Sequence, residues 1–202
     1  MDKYFIGLSP NIELFNLVQE RKDRIAKLVG MQKFLSDEPH TTLTVFTTNN
    51  LEAIKKSLDN LCENISEVNV RLSENSLDVF YNDCLTDNHT PTYSLRGSYV
   101  QLADIQKRVI VTIKPHNTLQ AFNSENPSLK KEEQRNVQMY GFPFVGQNWK
   151  PHITLASVEP DKFRKVFDLI KTMPIKGKFK LDALALYQIQ DPLKKIKSWK
   201  LK

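Results

Sequence analysis

One short pattern, Pro-His-x-Thr-Leu followed by apolar residues, constrains this chain more than any other feature. It occurs around His40 and Thr42 and again, far downstream, around His152 and Thr154. A β-strand points alternate side chains to one face, so the histidine and the threonine of each copy share a face. Two such strands side by side would place two imidazoles and two hydroxyls around one small anionic group. That arrangement suits phosphoryl chemistry without a metal.

A third copy of the pattern surrounds His116, and we set it aside because its downstream residues differ. The sequence after His40 and after His152 continues as an apolar strand, whereas the residues after His116 are largely polar. They predict the start of a short helix with Asn117 or Thr118 as its cap. Residues two apart on a helix diverge by about 200°, so His116 and Thr118 would not share a face. His89, in a polar stretch, is interpreted as a loop histidine.

The size and composition of the chain predict a single domain, residues 1–202, with two lobes. The hydrophobic fraction of 40% allows a sizeable core, and no apolar run approaches the length of a membrane span. The N-terminal residues pass directly into a strand-like segment, so we expect no signal peptide. Cys62 and Cys84 lack metal-ligand spacing and fit reduced thiols of the cytoplasm. The net charge of +6 favours an anionic ligand, although it also serves solubility.

Hydrophobic periodicity predicts helices and strands in a mixed order. Helices are predicted to begin at Ser9 as N-cap and end near Gly30, and to cover residues 51–61, 127–139 and 160–172. Strands are predicted over residues 4–8, 40–47, 68–72, 77–81, 99–102, 109–113, 179–189 and 196–201, and from His152 onward. The strands at 68–72 and 77–81 are interpreted as a hairpin.

The order of elements after each motif is the same: the histidine strand, a short helix, then strands. Residues 50–61 correspond to residues 161–172, and residues 68–81 correspond to residues 178–189. This internal repeat spans about half the chain. It predicts an α+β fold with two pseudo-symmetric lobes of antiparallel sheet, backed by helices, around a central basic cleft.

The ordered pair of motifs, with these flanks, resembles the 2H phosphoesterase superfamily. Its members include 2'-5' RNA ligase-like proteins, cyclic phosphodiesterases and 2',5'-oligoadenylate phosphodiesterases. The stretch from Trp149 to Ala156 is similar to the second motif of that family, and the strand around Tyr4 is similar to its opening strand. Two positions depart from the RNA ligase-like branch, which often has a basic residue at Ser157 and an arginine near Gln188. The resemblance implies the family's fold and a phosphodiesterase activity.

The chemistry of the four motif residues agrees with that implication. Cleaving a phosphodiester requires a base for the attacking oxygen and an acid for the departing one, and histidine serves as either because its pKa lies near neutrality. Attack by the substrate's own 2'-OH forms a cyclic phosphate, and attack by water opens one. Thr42 and Thr154 would donate to the non-bridging oxygens. We expect no cofactor and no metal, because two histidines are too few ligands for zinc.

Four residues are predicted to bind the substrate. Tyr4, Phe144 and Trp149 could stack on a base, although each is equally well explained as core, and Lys150 could meet a phosphate or remain solvated. The polar segment 123–147 is interpreted as a surface flap whose aromatic end lies near the mouth of the cleft.

The predicted partner is a nucleotide or a short RNA-like oligonucleotide, and the chain is expected to be a cytoplasmic monomer without a membrane partner. Two other functions stay open. One is a non-catalytic module that binds RNA or nucleotides, and the other is RNA end joining by the reverse reaction.

Overall fold

The computed structural model describes residues 2–81, 91–97 and 101–202. Within these ranges the chain forms eight strands and five helices. The strands are β1 (Lys3–Pro10), β2 (Thr41–Thr47), β3 (Val68–Leu72), β4 (Leu77–Phe80), β5 (Thr92–Leu95), β6 (Ile153–Ser157), β7 (Gly177–Gln188) and β8 (Lys194–Lys200). The helices are α1 (Ile12–Val29), α2 (Leu51–Cys62), α3 (Leu102–Ile113), α4 (Lys131–Tyr140) and α5 (Phe163–Lys171).

The strands form two antiparallel sheets, and each sheet carries one of the two motifs. The larger sheet has the order β2-β1-β7-β3, with β8 also paired to β7, and the smaller sheet has the order β4-β5-β6. The α+β prediction of antiparallel sheets with helices is thereby confirmed. The two sheets do not coincide with the two halves of the chain, because β4 from the first half lies in the sheet of β6, and β7 and β8 from the second half lie in the sheet of β2.

Helix α1 packs against strands of both sheets. Its buried side chains Leu14, Val18 and Ile25 recur at helical spacing, and the helix packs on α5, β6 and β1. The main hydrophobic cluster contains these residues together with side chains from both sheets, such as Leu43 of β2 and Leu155 of β6. The strands that carry the two motifs therefore pack onto the same core.

The predicted start of α1 is two residues too early. β1 continues through Ser9 to Pro10, which pairs with Leu181 of β7, and the backbone N–H of Asn11 donates to the carbonyl of Lys180. The N-cap is Asn11, whose side chain accepts from the N–H of Leu14. The end at Gly30 is as predicted, with a φ of 77° that favours glycine.

The hairpin predicted from residues 68–72 and 77–81 is wrong. β3 pairs with the first part of β7 in the larger sheet, and β4 pairs with β5 in the smaller one. A 3-10 turn, Glu74–Ser76, carries the chain from one sheet to the other. Alternating apolar residues indicate a strand but not its partner. β5, a four-residue strand that is buried on both faces, was not predicted.

The strand predicted at residues 109–113 is wrong, and the described part of the short strand predicted at residues 99–102 is wrong as well. Gln101 and Leu102 begin helix α3, while Tyr99 and Val100 lie outside the described residues. The buried residues of α3 recur at helical spacing: Leu102, Ile105, Gln106, Val109, Ile110 and Ile113. The β-branched run misled the prediction, because burial of one helical face overrides local propensity.

The flap contains a shorter helix than predicted, α4, in which Val137 is the buried side chain. Its aromatic end is anchored, since Phe142 is buried in a second cluster with Phe5, Val45 and Tyr187. None of the helices in the described ranges combines the length and the apolar composition needed to cross a membrane.

Candidate active site

The two motifs adopt the strand geometry that their spacing predicts. Ile153 and Leu155 of β6 are buried in the core, whereas Thr154 and His152, the residue before the strand, are half-buried. Thr42 of β2 and His40, the residue before that strand, are likewise half-buried. A β-bulge in the pairing with β1 leaves an extra residue between Thr42 and Thr44, so that Leu43 and Phe46 both reach the main core.

Both histidines make the same hydrogen bond to the backbone two residues before them. The Nδ1 of His40 lies 2.7 Å from the carbonyl oxygen of Glu38, and the Nδ1 of His152 lies 2.7 Å from the carbonyl oxygen of Lys150. A carbonyl can only accept, so Nδ1–H is the donor in each case. This bond selects the tautomer that places the lone pair of the neutral ring on Nε2. Each motif thus presents a histidine with the same nitrogen prepared for proton transfer.

The structure brings the two motifs together across the sheets. β2 contacts β6, and the indole Nε1–H of Trp149 donates to the carbonyl oxygen of Thr42 over 3.0 Å. The two imidazoles are close enough that the charge of His152 lowers the pKa of His40. The structure thus brings the two predicted pairs of catalytic residues near each other, and their catalytic role stays a prediction.

His40 lies among aromatic rings. The centroid of Phe5 is 4.7 Å from the imidazole centroid, that of Tyr187 is 5.7 Å away, and Phe5 and Tyr187 stack on each other at 4.6 Å. Burial lowers the pKa of His40 to about 4, and the hydrogen bond to Glu38 opposes this change while the charge of Lys22 adds to it. His40 is therefore neutral near pH 7.

Glu38 links the backbone beside His40 to β7 and β8. Its carboxylate forms an ion pair with Lys195 and accepts a hydrogen bond of 3.3 Å from the hydroxyl of Tyr187. Burial raises the pKa of Tyr187 to about 12, so this hydroxyl stays protonated and remains a donor. These contacts hold the residue whose carbonyl orients the imidazole.

His152 has different neighbours in the smaller sheet. The ring of Phe80 lies 4.9 Å from its imidazole, and the guanidinium of Arg96 lies 4.4 Å from the Phe80 centroid. Arg96 also forms an ion pair of 2.6 Å with Asp78. The stack places a positive charge one ring away from His152, and on the His40 side the ammonium of Lys195 lies 5.7 Å from the Tyr187 centroid.

The structure does not bring Tyr4 to the site. Tyr4 is 8% exposed, packs on Phe46 at 5.8 Å and belongs to the main core, on the opposite face of the larger sheet from His40. Its neighbour Phe5 contacts His40 instead. The prediction chose the wrong member of an adjacent aromatic pair, because successive residues of a strand face opposite sides and the sequence does not say which side is core.

The other predicted substrate residues surround the motifs, and their roles stay predictions. Phe144 is half-buried and packs edge-on against Phe142 at 5.6 Å, in the cluster that includes Phe5. Trp149 is half-buried and bridges β6 to β2 through Thr42. Lys150 is exposed, and its carbonyl orients His152.

Sequence reasoning missed Phe5, Tyr187, Phe80 and Arg96, which contact the histidines directly or through one ring. They lie on β1, β7, β4 and just after β5, far from the motifs in the chain, and no local pattern marks them. His116 lies at the end of a 3-10 turn, so the helix predicted after it is wrong and the turn precedes it. His89 lies outside the described residues.

In the ranges that the structure describes, no three side chains of His, Cys, Asp or Glu are grouped so that they could hold a metal ion. Cys62 is a buried free thiol, and burial raises its pKa to about 12, while Cys84 lies outside these ranges. The metal-free mechanism stays a prediction.

Comparison with known proteins decides the family. The sequence pattern of the 2'-5' RNA ligase superfamily matches residues 10–192 of the 202. The chain belongs to this superfamily. The resemblance to 2H phosphoesterases, predicted from the two motifs, is thereby confirmed. No curated protein matches the chain by sequence.

Solved structures with the same fold support the assignment. The protein TT0787 of Thermus thermophilus is 13% identical, covers 98% of this chain and 97% of its own, and superposes with a TM-score of 0.57. E. coli LigT in apo form is 12% identical, covers 100% of this chain and 98% of its own, and has a TM-score of 0.54. At these identities the likeness shows that this chain and the two solved proteins share a fold, and nothing more.

Proposed function

We propose that this protein is a metal-independent phosphodiesterase acting on a nucleotide that carries a 2'-OH or a cyclic phosphate. Its reacting groups are His40, Thr42, His152 and Thr154. The observation that carries the proposal is the identical bond from each histidine Nδ1 to a backbone carbonyl, 2.7 Å in both motifs. Two rings held in one tautomer on neighbouring strands have the form of an acid and base pair.

The surroundings of the two rings suggest their roles. His40 is neutral near pH 7 because burial lowers its pKa to about 4, so it would accept a proton at Nε2 from water or from a 2'-OH. His152, in its protonated form, would then give a proton to the departing oxygen as the P–O bond breaks. After turnover His40 holds the proton and His152 has lost one, and exchange with solvent restores both.

The threonines would stabilise the charge that grows on the phosphoryl oxygens. Thr42 and Thr154 share the half-buried faces of the histidines, so their hydroxyls can donate to the two non-bridging oxygens. A nucleotide substrate is supported by the net charge of +6 and by the exposed Lys150 beside the second motif. E. coli LigT, which shares this fold at 14% identity, has been solved in complex with 3'-AMP, and another LigT structure contains ATP.

The test is a panel of substrates followed by chromatography of the products. The panel contains 2',3'-cyclic nucleotides, 2'-5'-linked oligonucleotides, cyclic oligonucleotides and 3'-5'-linked controls, each incubated in excess chelator. We expect turnover of at least one 2'-OH or cyclic-phosphate class, and retention of that activity in chelator. Activity that disappears in chelator and returns with zinc or magnesium contradicts the metal-free mechanism.

The same assay separates the two other functions. A binding module would retain the nucleotides without forming product, and His40→Ala would leave its affinity unchanged. RNA end joining would convert RNA ending in a 2',3'-cyclic phosphate, together with a 5'-OH strand, into a longer product. His116→Ala is the matched control, because it removes a histidine from the same pattern outside the two strands.

A further inference from the structure

Lys22 of α1 is a buried cation that the motif chemistry does not use. It is 2% exposed, and lysine is rarely buried without a partner. Its ammonium donates to two backbone carbonyls, that of Phe34 at 2.6 Å and that of Asp37 at 2.7 Å. Burial lowers the pKa of Lys22 to about 8, against the opposing charge of Asp37, so the group is mostly protonated at pH 7.

The two carbonyls belong to a turn in the α1–β2 connector, residues 30–40. The N–H of Asp37 donates to the carbonyl of Phe34 over 3.3 Å, and Phe34 has a φ of 70°. That left-handed conformation is unfavourable for a bulky residue and persists where the surroundings enforce it. The buried ammonium of Lys22, which donates to the carbonyls of Phe34 and Asp37, stabilises this conformation of the turn.

This connector meets both motifs. The residue after Asp37 is Glu38, whose carbonyl receives the Nδ1–H of His40 over 2.7 Å. Earlier in the connector, the carbonyl of Lys33 accepts from the N–H of Ser157 over 3.0 Å at the end of β6. A displacement of the turn would therefore move the acceptor that orients His40, relative to the strand that carries His152.

We propose that Lys22 is a positioning residue for His40: its buried ammonium holds the turn at Phe34 and Asp37 and thereby fixes the carbonyl that orients the imidazole. Lys22 also acts on His40 through its charge, which adds to the lowering of that pKa. Other charged groups act on the two side chains. The charges of Lys22, His152 and Glu38 act on His40, and the charge of Asp37 acts on Lys22. Asp37 itself is also near Asp191 and Lys33.

The decisive experiment monitors the imidazole of His40 by nitrogen-15 NMR as a function of pH. Lys22→Met removes the charge and both donors while keeping a long apolar stem, and Lys27→Met is the matched control at an exposed lysine of the same helix. Signals are assigned with His40→Gln. We expect Lys22→Met to change the Nδ1 and Nε2 shifts of the neutral His40 ring, because the carbonyl that holds its Nδ1–H tautomer is displaced, and Lys27→Met to leave them unchanged.

The NMR readout does not depend on turnover, so its outcome stands even where the proposed phosphodiesterase activity is absent. With an active substrate in hand, Lys22→Met should lower kcat about tenfold with little change in KM, because it misplaces a reacting group without touching the bound nucleotide. Nitrogen-15 signals of the neutral His40 ring that are the same in Lys22→Met and in the wild type overturn the proposal.

If Lys22→Met does not fold, a pH titration of the wild-type protein, followed by the same NMR signals, tests the proposal. Between pH 6 and 10 His40 remains neutral, while Lys22 loses its proton near pH 8. We expect the nitrogen signals of His40 to shift in step with that loss, because the neutral amine is a weaker donor than the ammonium and holds the two carbonyls of the turn less firmly. Signals of His40 that stay constant through this range overturn the proposal.

Discussion

The two motif histidines make the same hydrogen bond from Nδ1 to a backbone carbonyl, but their rings have different neighbours. The ring of His40 packs against Phe5 and Tyr187, whereas the ring of His152 packs against Phe80, which in turn lies under Arg96. The shared bond to a carbonyl fixes the tautomer in both. Burial among these rings favours a neutral His40, and this is the feature that would give His40 the role of base.

The histidines give the largest expected effect. We predict that His40→Ala and His152→Ala each lower kcat/KM roughly a thousandfold, because each removes one partner of a proton-transfer pair. The double variant should be no slower than the worse single one, since the pair acts as a unit. His116→Ala should retain wild-type turnover. An inactive His116→Ala beside an active variant of either other histidine would show that the wrong copies were chosen.

The threonines should give a smaller loss. Thr42→Val and Thr154→Val keep the β-branched shape and remove only the hydroxyl, and we predict a decrease in kcat of about a hundredfold for each. Thr42→Ser and Thr154→Ser should recover most of the rate. The measurement is steady-state kinetics of the four variants. An unchanged kcat in a Val variant would show that this hydroxyl does not stabilise the transition state.

Gly7 tests the packing on the His40 side alone. A Cβ at this position would stand 3.4 Å from the Cδ2 of His40 and 3.2 Å from the carbonyl oxygen of Thr41. We predict that Gly7→Ala pushes on the backbone of Thr41, which follows His40, and so misplaces the ring and lowers kcat about tenfold. Gly7 is paired with Thr42, and in the smaller sheet Ser94 is paired with Thr154 in the same way. Ser94→Ala is the control, because it changes the equivalent position without adding an atom. Equal kcat for Gly7→Ala and the wild type would contradict a tightly held imidazole.

Phe144 should give the smallest effect and bears on the flap. If its half-buried ring stacks on a base, Phe144→Ala should raise KM about fivefold for base-bearing substrates with little change in kcat, because stacking favours ground and transition states alike. Kinetics and thermal unfolding are measured together. An unchanged KM with a large drop in melting temperature would show instead that the ring serves the cluster around Phe142.

The sequence was most informative where a local pattern was repeated at a distance. The shared face of each histidine and threonine follows from strand periodicity, and the repeat identified the pair to compare. The partners of β3 and β4 could not be predicted, because alternation carries no information about which strand lies alongside. The helical period of α3 was present in the sequence but was outweighed by its β-branched residues.

The contacts that distinguish the two histidines could not be read from the sequence. They are made by Phe5, Tyr187, Phe80 and Arg96. These residues are far from the histidines in the sequence, and the pairing of the strands brings them close. Lys22 left a faint signal: it falls four residues after Val18 and three before Ile25, on the buried stripe of α1. A lysine on such a stripe indicates a buried donor that requires acceptors.

The pH dependence of kcat/KM in excess chelator tests the central claim most directly. If His40 is the base, it must be neutral, and its pKa of about 4 lies below the ordinary 6.5. Activity should therefore persist as the pH falls through 6.5, decline toward 4, and decline again at high pH as the acid loses its proton. Recovery of activity on return to pH 7 separates titration from acid unfolding. An acidic limb at or above pH 6.5, or activity lost in chelator, would contradict the account.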